Sequence, residues 1–277
     1  MTDTTIVRAD VQVHTHLAGN LWQIILEAPS LTNNARHGQF FQLYLGEDTG
    51  HLLPRPLSIH AVYSSERDTV EGLSLIYQVV GKGTSYLTSL SEGEKIDVLG
   101  PLGKGWSVPE HAKSILLVGG GVGWAPLAML ARDMVEEGRI VHALIGARTA
   151  DYLNALVEAL ELCPMPEGLE EADPCDRLFY HLATDDGSMG HHGMNTELLD
   201  ALLNQHEIDY MAACGPEPML RIVAAQALKH EISCEVSLER RMACGIGACV
   251  TCTVETTSGS KRACVDGPVF DAREVVW

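Results

Sequence analysis

The rhythm of apolar and polar positions changes twice along the chain. Up to about residue 109, short runs rich in Val, Ile, Leu and Tyr recur at Val7–Val13, Leu21–Ala28, Gln39–Leu45, Leu57–Tyr63, Leu73–Val80 and Lys95–Leu99, punctuated by Gly, Pro, Asn and Asp. Runs so composed and so bounded are strands. Six of them at this spacing predict a closed antiparallel barrel, interrupted by one short helical stretch at Thr84–Leu90. From Ser114 the period lengthens. An all-apolar strand, Ser114–Val118, leads through a glycine-rich turn into a helix over Ala125–Glu137, ended by Gly138, and a second strand follows at Val141–Ile145. Strand, helix, strand is a βαβ unit and calls for a parallel sheet covered on both faces. Further strands fit Leu178–Ala183 and Tyr210–Ala213, and helices fit Thr196–Gln205 and Pro218–His230.

After Ser233 the composition shifts to Cys, Gly and Thr. The remaining stretch, roughly 45 residues, is too short for a self-sufficient apolar core, so a metal centre would help to hold it. The expected organisation is a multidomain α+β chain: a β-barrel over 1–109, an α/β parallel-sheet domain over 110–230 and a small cysteine-rich domain over 231–277. The segment Cys163–Arg177 carries three prolines and five acids and reads as a solvated loop. No internal repeat is visible.

Charge narrows the function. The 277 residues carry 37 acids against 19 Lys and Arg, a formal net charge of −18, which argues against nucleic acid or an anionic membrane as the main partner. The N-terminus lacks the charged and apolar regions of a signal peptide. The longest uncharged run, Ser114–Ala131, is broken by glycines and Pro126 and does not read as a bilayer span. A soluble, cytoplasmic protein is expected. Structural disulfides are rare in that compartment, yet eight cysteines are present, four of them within 21 residues.

Those four form Cys244-x4-Cys249-x2-Cys252-x11-Cys264, and the first three have the spacing of plant-type [2Fe–2S] ligation. Gly245, Gly247 and the small Ala248 let the backbone wrap a cluster and aim N–H groups at its sulfurs, with Cys264 arriving from a following strand. Structural zinc is the alternative, although it usually takes two paired knuckles and only one such pair is present.

A second motif, Val118-Gly-Gly-Gly-Val-Gly-Trp-Ala-Pro126, joins a strand to a helix, the context a dinucleotide site requires. Gly119, Gly120, Gly121 and Gly123 would let the backbone approach a pyrophosphate at the helix N-terminus, and Pro126 suits the first helical turn. The same glycines could instead serve tight packing. Arg55-Pro-Leu-Ser58 opens one strand and Gly81-Lys-Gly-Thr-Ser85 follows another. An arginine fork suits a pyrophosphate, and Gly83-Thr84 would make a second anion site; singly, each also reads as a surface arginine and a hairpin turn. Cys214-Gly-Pro-Glu-Pro-Met219 ends a strand where α/β ligands gather, although a lone Cys there also suits a core. His191-His192 reads as a solvated loop, and Thr184–Ser188 as either a ribose contact or an Asx turn.

Taken in order, Arg-Pro-Leu-Ser, Gly-Lys-Gly-Thr, the glycine-rich turn, Cys-Gly-Pro-Glu-Pro-Met and the four-cysteine tail resemble the electron-transfer subunits of the class 1B dihydroorotate dehydrogenases, within the ferredoxin-reductase superfamily. The segments Ser237–Cys249 (SLERRMACGIGAC) and Cys264–Phe270 (CVDGPVF) look like that family's signature, and the resemblance spans the chain. It implies FAD in the first domain, with Arg55, Pro56, Leu57 and Ser58 at the pyrophosphate and flavin edge, Ile76, Tyr77 and Gln78 lining the cofactor, and Gly83 and Thr84 on phosphate. It implies NAD(H) at Gly119–Pro126 with Cys214 near the nicotinamide, and a [2Fe–2S] cluster on Cys244, Cys249, Cys252 and Cys264. The implied partner is an FMN-bearing catalytic subunit that oxidises dihydroorotate in pyrimidine biosynthesis, in a heterotetramer of two of each; this chain would be an NAD(H)-linked flavin/iron–sulfur oxidoreductase subunit with no dihydroorotate site of its own. Two departures stand out: Gln78 replaces the arginine that relatives often carry, and the bulky Trp124 sits in the nicotinamide turn. Arg148, after the second strand, would suit a 2′-phosphate. The alternatives are a related subunit of a bifurcating transhydrogenase or a hydrogenase, or a zinc-stabilised nucleotide-binding regulator.

Overall fold

The computed structural model describes residues 4–46, 50, 53–63, 72–159 and 176–277. Six strands close an antiparallel barrel: β1 (Thr5–Ala18), β2 (Leu21–Glu27), β3 (Phe40–Tyr44), β4 (Arg55–Tyr63), β5 (Gly72–Gln78) and β6 (Lys95–Leu102), in the order β1-β2-β5-β4-β3-β6. Closure leaves no edge strand exposed. Inward side chains such as Val11, Ile24, Phe41, Leu43, Ile59, Leu75 and Val98 fill the interior. A short helix, α1 (Pro29–Thr32), follows β2. The expected helix begins earlier than its apolar content indicates, as α2 (Lys82–Leu87), because the Thr84 hydroxyl accepts from Val80 N and Gly81 N and pulls the turn back onto Gly81.

The second half is a sheet of seven strands, β10-β9-β8-β7-β11-β12-β15. It comprises β7 (Ser114–Gly120), β8 (Ile140–Ala147), β9 (Leu178–Thr184), β10 (His191–His192), β11 (Tyr210–Cys214), β12 (Ser233–Ser237) and the antiparallel edge β15 (Val269–Asp271). A two-stranded ribbon, β13 (Thr253–Thr256) with β14 (Gly259–Arg262), carries the tail between β12 and β15. Helices α3 (Ala125–Glu136), α4 (Ala150–Glu158), α5 (Thr196–Gln205) and α6 (Glu217–Lys229) complete the architecture. Two apolar layers cover the sheet: Leu117, Leu127, Leu130, Ile145 and Leu156 on one face, and Leu116, Val118, Leu144, Leu199 and Val223 on the other.

Several expectations need correction. Helix α4 was not foreseen, although Thr149 caps it by accepting from Tyr152 N and Leu153, Leu156 and Val157 make its apolar stripe. His191-His192 is not a loop but a short parallel strand beside Ala183 and Thr184, and His191 Nε2 lies 2.8 Å from Glu197 Oε2. The sheet runs on past residue 230 through β12, and β15 of the cysteine-rich tail forms its far edge. The acidic segment, with Cys163 and Cys175, lies outside the described residues apart from 176–177.

Candidate functional site

Parallel strands leave their C-terminal ends open to ligands, and here the barrel packs against that rim. Between the two lies a cavity of about 300 Å³, bordered on the barrel side by Arg55–Ser58 at the start of β4, by Ile76–Gln78 at the end of β5 and by Thr84. From the sheet side it receives Gly123, Pro126 and Cys214, and from the tail Leu238–Arg240, Met242 and Pro268. Strand alternation sends Ile76 and Gln78 to one side and Tyr77 to the other. Tyr77 accordingly joins the barrel core and bonds through its hydroxyl to His14 Nε2 at 2.9 Å. Burial pushes its phenol well above the usual range.

Gly83 does not border the cavity but makes it possible. A Cβ on Gly83 would fall 2.0 Å from Arg55 Nε, so the guanidinium lies directly over the first turn of α2, braced by its bond to the Leu53 carbonyl. A planar cation over backbone N–H groups is an anion cradle, and it fits a flavin pyrophosphate. Gln78 donates to Asn20 Oδ1 at 3.2 Å.

A second cavity of about 660 Å³ spreads over the ends of β7, β8, β9 and β11. Gly120, Gly121 and Gly123 border it, whereas Gly119 lies within the sheet and accepts a bond from Asn195 Nδ2 at 3.0 Å. Gly123 permits the close approach of two loops, since a Cβ there would lie 2.5 Å from the Cys214 carbonyl. Trp124 does not obstruct either cavity: it is fully buried in the sheet core, where its size is used for packing. The two cavities share Gln78, Val122, Gly123, Leu238, Glu239 and Arg240. They therefore meet, which is what a flavin ring facing a nicotinamide ring requires.

Burial pushes the Cys214 thiol up to about 12, helped by the charge of Glu239 and opposed by a bond from Ser237. It is neutral at physiological pH. The surrounding walls also hold the Glu239 carboxyl above the usual range. Glu239, Arg240, Arg148, Asp185 and Asn195 border the cavities; Arg148 was expected to suit a 2′-phosphate and Asp185 to lie in a ribose contact or a turn, while Glu239, Arg240 and Asn195 had no assigned role in the sequence. Only the segment Ser237–Cys249 signalled Glu239 and Arg240, and no motif signalled Asn195.

The cysteine loop begins two residues after Met242, which borders the flavin-side cavity. Cys249 N donates to Cys244 Sγ at 3.3 Å, so a backbone N–H already points at a candidate ligand sulfur. Hydrogen bonds to its sulfur from Thr251, and then from Cys244, hold the exposed Cys249 thiol down at about 6. Cys252 and Cys264 are buried together, and burial followed by the hydrogen bond and charge of Cys252 pushes Cys264 up to about 12. Cys264 sits on the turn after β14, not on a strand as expected, where Ala263 N bonds to the Cys252 carbonyl at 2.9 Å. Among the described residues no three His, Cys, Asp or Glu side chains form a single-ion ligand set. A [2Fe–2S] centre needs none, because its two irons divide four thiolates. Two close cysteine pairs with inward N–H groups fit that donor requirement.

The comparisons with known proteins agree with this geometry. Residues 239–276 match the iron–sulfur cluster binding domain of dihydroorotate dehydrogenase B. A dihydroorotate dehydrogenase B (NAD(+)) electron transfer subunit from Desulforamulus reducens is 34% identical over 94% of both chains. Its counterpart from Bacillus velezensis is 35% identical over 96% of both. The chain belongs to this family. Among solved structures, that of an NADH-dependent reduced ferredoxin-NADP oxidoreductase, described for flavin-based electron bifurcation, is 32% identical with a TM-score of 0.80, covering 97% of this chain and 90% of that one. A ferredoxin NADP+ reductase from Neisseria gonorrhoeae, solved with FAD and NADP, is 15% identical with a TM-score of 0.62, covering 81% of this chain and 91% of its own, and shares the fold. No helix among the described residues is long and apolar enough to cross a membrane.

Proposed function

We propose that this chain is the NAD(H)-linked half of a dihydroorotate-oxidising complex, carrying electrons between a catalytic partner and NAD+. In this reading residues 1–109 hold FAD, 110–230 hold the nicotinamide nucleotide and 231–277 hold the cluster. The observation that carries it is the junction of the two cavities, with Met242 bordering the flavin-side cavity two residues before Cys244. When bound, FAD and a [2Fe–2S] cluster supply the conversion between two-electron hydride exchange and one-electron transfer.

The chain's own residues do the placing. Arg55 and the turn around Gly83 and Thr84 take the flavin pyrophosphate, while Pro56, Leu57, Ser58, Ile76 and Gln78 wall the ring and Tyr77 stiffens the strand behind it. Gly120–Gly123 line the nucleotide side in the turn that leads to α3, with Gly119 just inside the end of β7 and Pro126 on the flavin side of the junction. Cys214 would offer the flavin-side cavity a neutral thiol and so add no anion to that wall. Cys244 with Cys249, and Cys252 with Cys264, are the two ligand pairs. Asp185 supports a preference for NAD(H), because it brings to the Arg148 end of the cavity the acid that β8 lacks.

The finer parts of the reading are an FMN-bearing catalytic subunit, a complex with two copies of each subunit, and a cytoplasmic location. The test is a visible spectrum of anaerobically purified protein, with flavin, iron and sulfide analysis, followed by co-expression with a dihydroorotate-oxidising FMN subunit. One FAD, two irons and two labile sulfides per chain, with co-elution of the partner, is the expected result. A colourless, zinc-containing protein after reconstitution would overturn the redox reading. The 32% identical bifurcating relative supports one alternative, a subunit serving a different redox partner. Full cofactor loading with no affinity for the FMN subunit would favour it.

A further inference from the structure

We infer that Gln42 is the positioning residue through which the barrel sets the cysteine loop against the flavin-side cavity, and that it tunes the cluster there. The inference rests on the proposed cofactor placement. Phe40, Gln42 and Tyr44 alternate along β3 and so share one face. In the barrel register Phe40 stands opposite Ser58 and Gln42 opposite Pro56, both of which border the flavin-side cavity. One end of this face is Phe40, which borders the cavity and packs in the same apolar cluster as Cys252 and Cys264. Gln42 therefore lies between the proposed flavin wall and the proposed cluster ligands.

Its side chain is fully buried, an unusual place for a primary amide. Nε2 donates to the Ala243 carbonyl at 3.3 Å, the peptide group directly before Cys244. Oε1 is buried with no hydrogen-bond partner. Gly245, at φ +71°, is pressed against the same amide: a Cβ there would lie 2.5 Å from Oε1. One buried amide thus grips the loop on both sides of Cys244. An unpaired buried carbonyl oxygen is destabilising, and an apolar side chain of equal length would fill the space without that penalty. The amide's presence is accounted for by what it holds. A loop fixed at Ala243 and Gly245 keeps the Cys249 N–H directed at Cys244 Sγ, and hydrogen bonds to ligand sulfurs are a principal determinant of cluster potential.

The test compares wild type with Gln42→Met, which keeps length and removes both polar atoms, in the full-length protein. Iron, sulfide and FAD content are measured first; wild type lacking a cluster would refute the functional reading itself. In loaded Gln42→Met the cluster midpoint, read by redox titration with EPR, should fall by about 59 mV, a tenfold change in the oxidised-to-reduced ratio of a one-electron centre. Its EPR and visible circular dichroism should change, while anaerobic bleaching of FAD by NADH keeps the wild-type rate. An unchanged or raised midpoint with a wild-type spectrum overturns the inference. Should Gln42→Met lose iron, Gln42→Glu, which keeps Oε1 and lacks the Nε2 donor, is measured in its place against the same criteria. Loss of iron from both variants with FAD retained supports the local role, and loss of FAD as well overturns it.

Discussion

Asp185 shows how a single side chain gains a role from its neighbours. The loop after β9 carries two acids, but Asp186 is occupied by Ser188, whose N and Oγ donate to it at 3.0 and 2.6 Å. Those bonds hold its carboxyl below the usual range. Asp185 N is tied to the Ala147 carbonyl and Asp186 N to that of Arg148, so the ends of β8 and β9 are stitched together at the cavity. The Asp185 carboxylate can accept from a ribose 2′-hydroxyl and would repel a 2′-phosphate, which Arg148 alone would attract. Asp185→Asn should raise the ratio of NADPH to NADH efficiency roughly 10- to 100-fold, the worth of one charged hydrogen bond. Steady-state kcat/KM with both nucleotides reads it, and an unchanged ratio would place the ribose elsewhere. Neither acid was distinguishable in sequence: Asp-Asp-Gly reads equally as a turn and as a ribose contact, and the structure separates the two, with Asp186 closing the turn on Ser188 and Asp185 bordering the cavity.

At the level of elements, β8, β9 and the end of α5 bring His142, His181 and His206 together, with His142 Nδ1 and His181 Nε2 3.1 Å apart. Burial, then the neighbouring histidines, lowers His142 to about 4; burial, then His206, does the same to His181. Both are neutral in the folded protein near neutrality, whereas the unfolded chain binds protons at each from about pH 6.5 downward. The unfolded state thus takes up more protons between pH 6.5 and 4. The associated stability is complete above pH 6.5, is lost as pH falls, and has gone by about pH 4. Melting temperature should fall steadily from pH 7 to 4.5, and His142→Phe, beside the stacked Phe179, should flatten the fall. An identical slope in the variant would assign the acid sensitivity to other groups.

Across the whole molecule, the three chemical units do not stand apart. The tail enters the large sheet through β15, Lys104 N bonds to the Gly267 carbonyl at 2.6 Å, and Ser107 N bonds to Glu235 on β12 at 2.7 Å. Phe270, buried on β15, packs with sheet residues Leu116, Val118 and Val236 and with Cys252 and Cys264. Phe270→Ala should cost about 3–5 kcal/mol. In a denaturant melt of the loaded protein, flavin release and cluster bleaching should coincide and shift together in the variant. Separate transitions would show the cysteine-rich unit folding on its own.

Read by itself, the chain was sufficient for the two changes of period, the barrel, the βαβ start of the parallel sheet, the family and its cofactors. Each depends on residue types at short range: strand runs, a glycine turn before a helix, four thiols at fixed spacing. Backbone sterics and ligand chemistry act over the same few residues, so order and spacing are enough. What sequence could not supply is convergence. Trp124 was expected beside the nicotinamide and lies in the core, because its direction depends on how α3 packs. Tyr77 turns into the barrel while its neighbours face the cavity, and α4, capped by Thr149, lay unnoticed between two stronger signals. Gln42 and Cys244 are separated by some two hundred residues and meet only when the tail folds back across β3. Such contacts arise from closing the barrel against the sheet, a long-range packing event that no local pattern encodes.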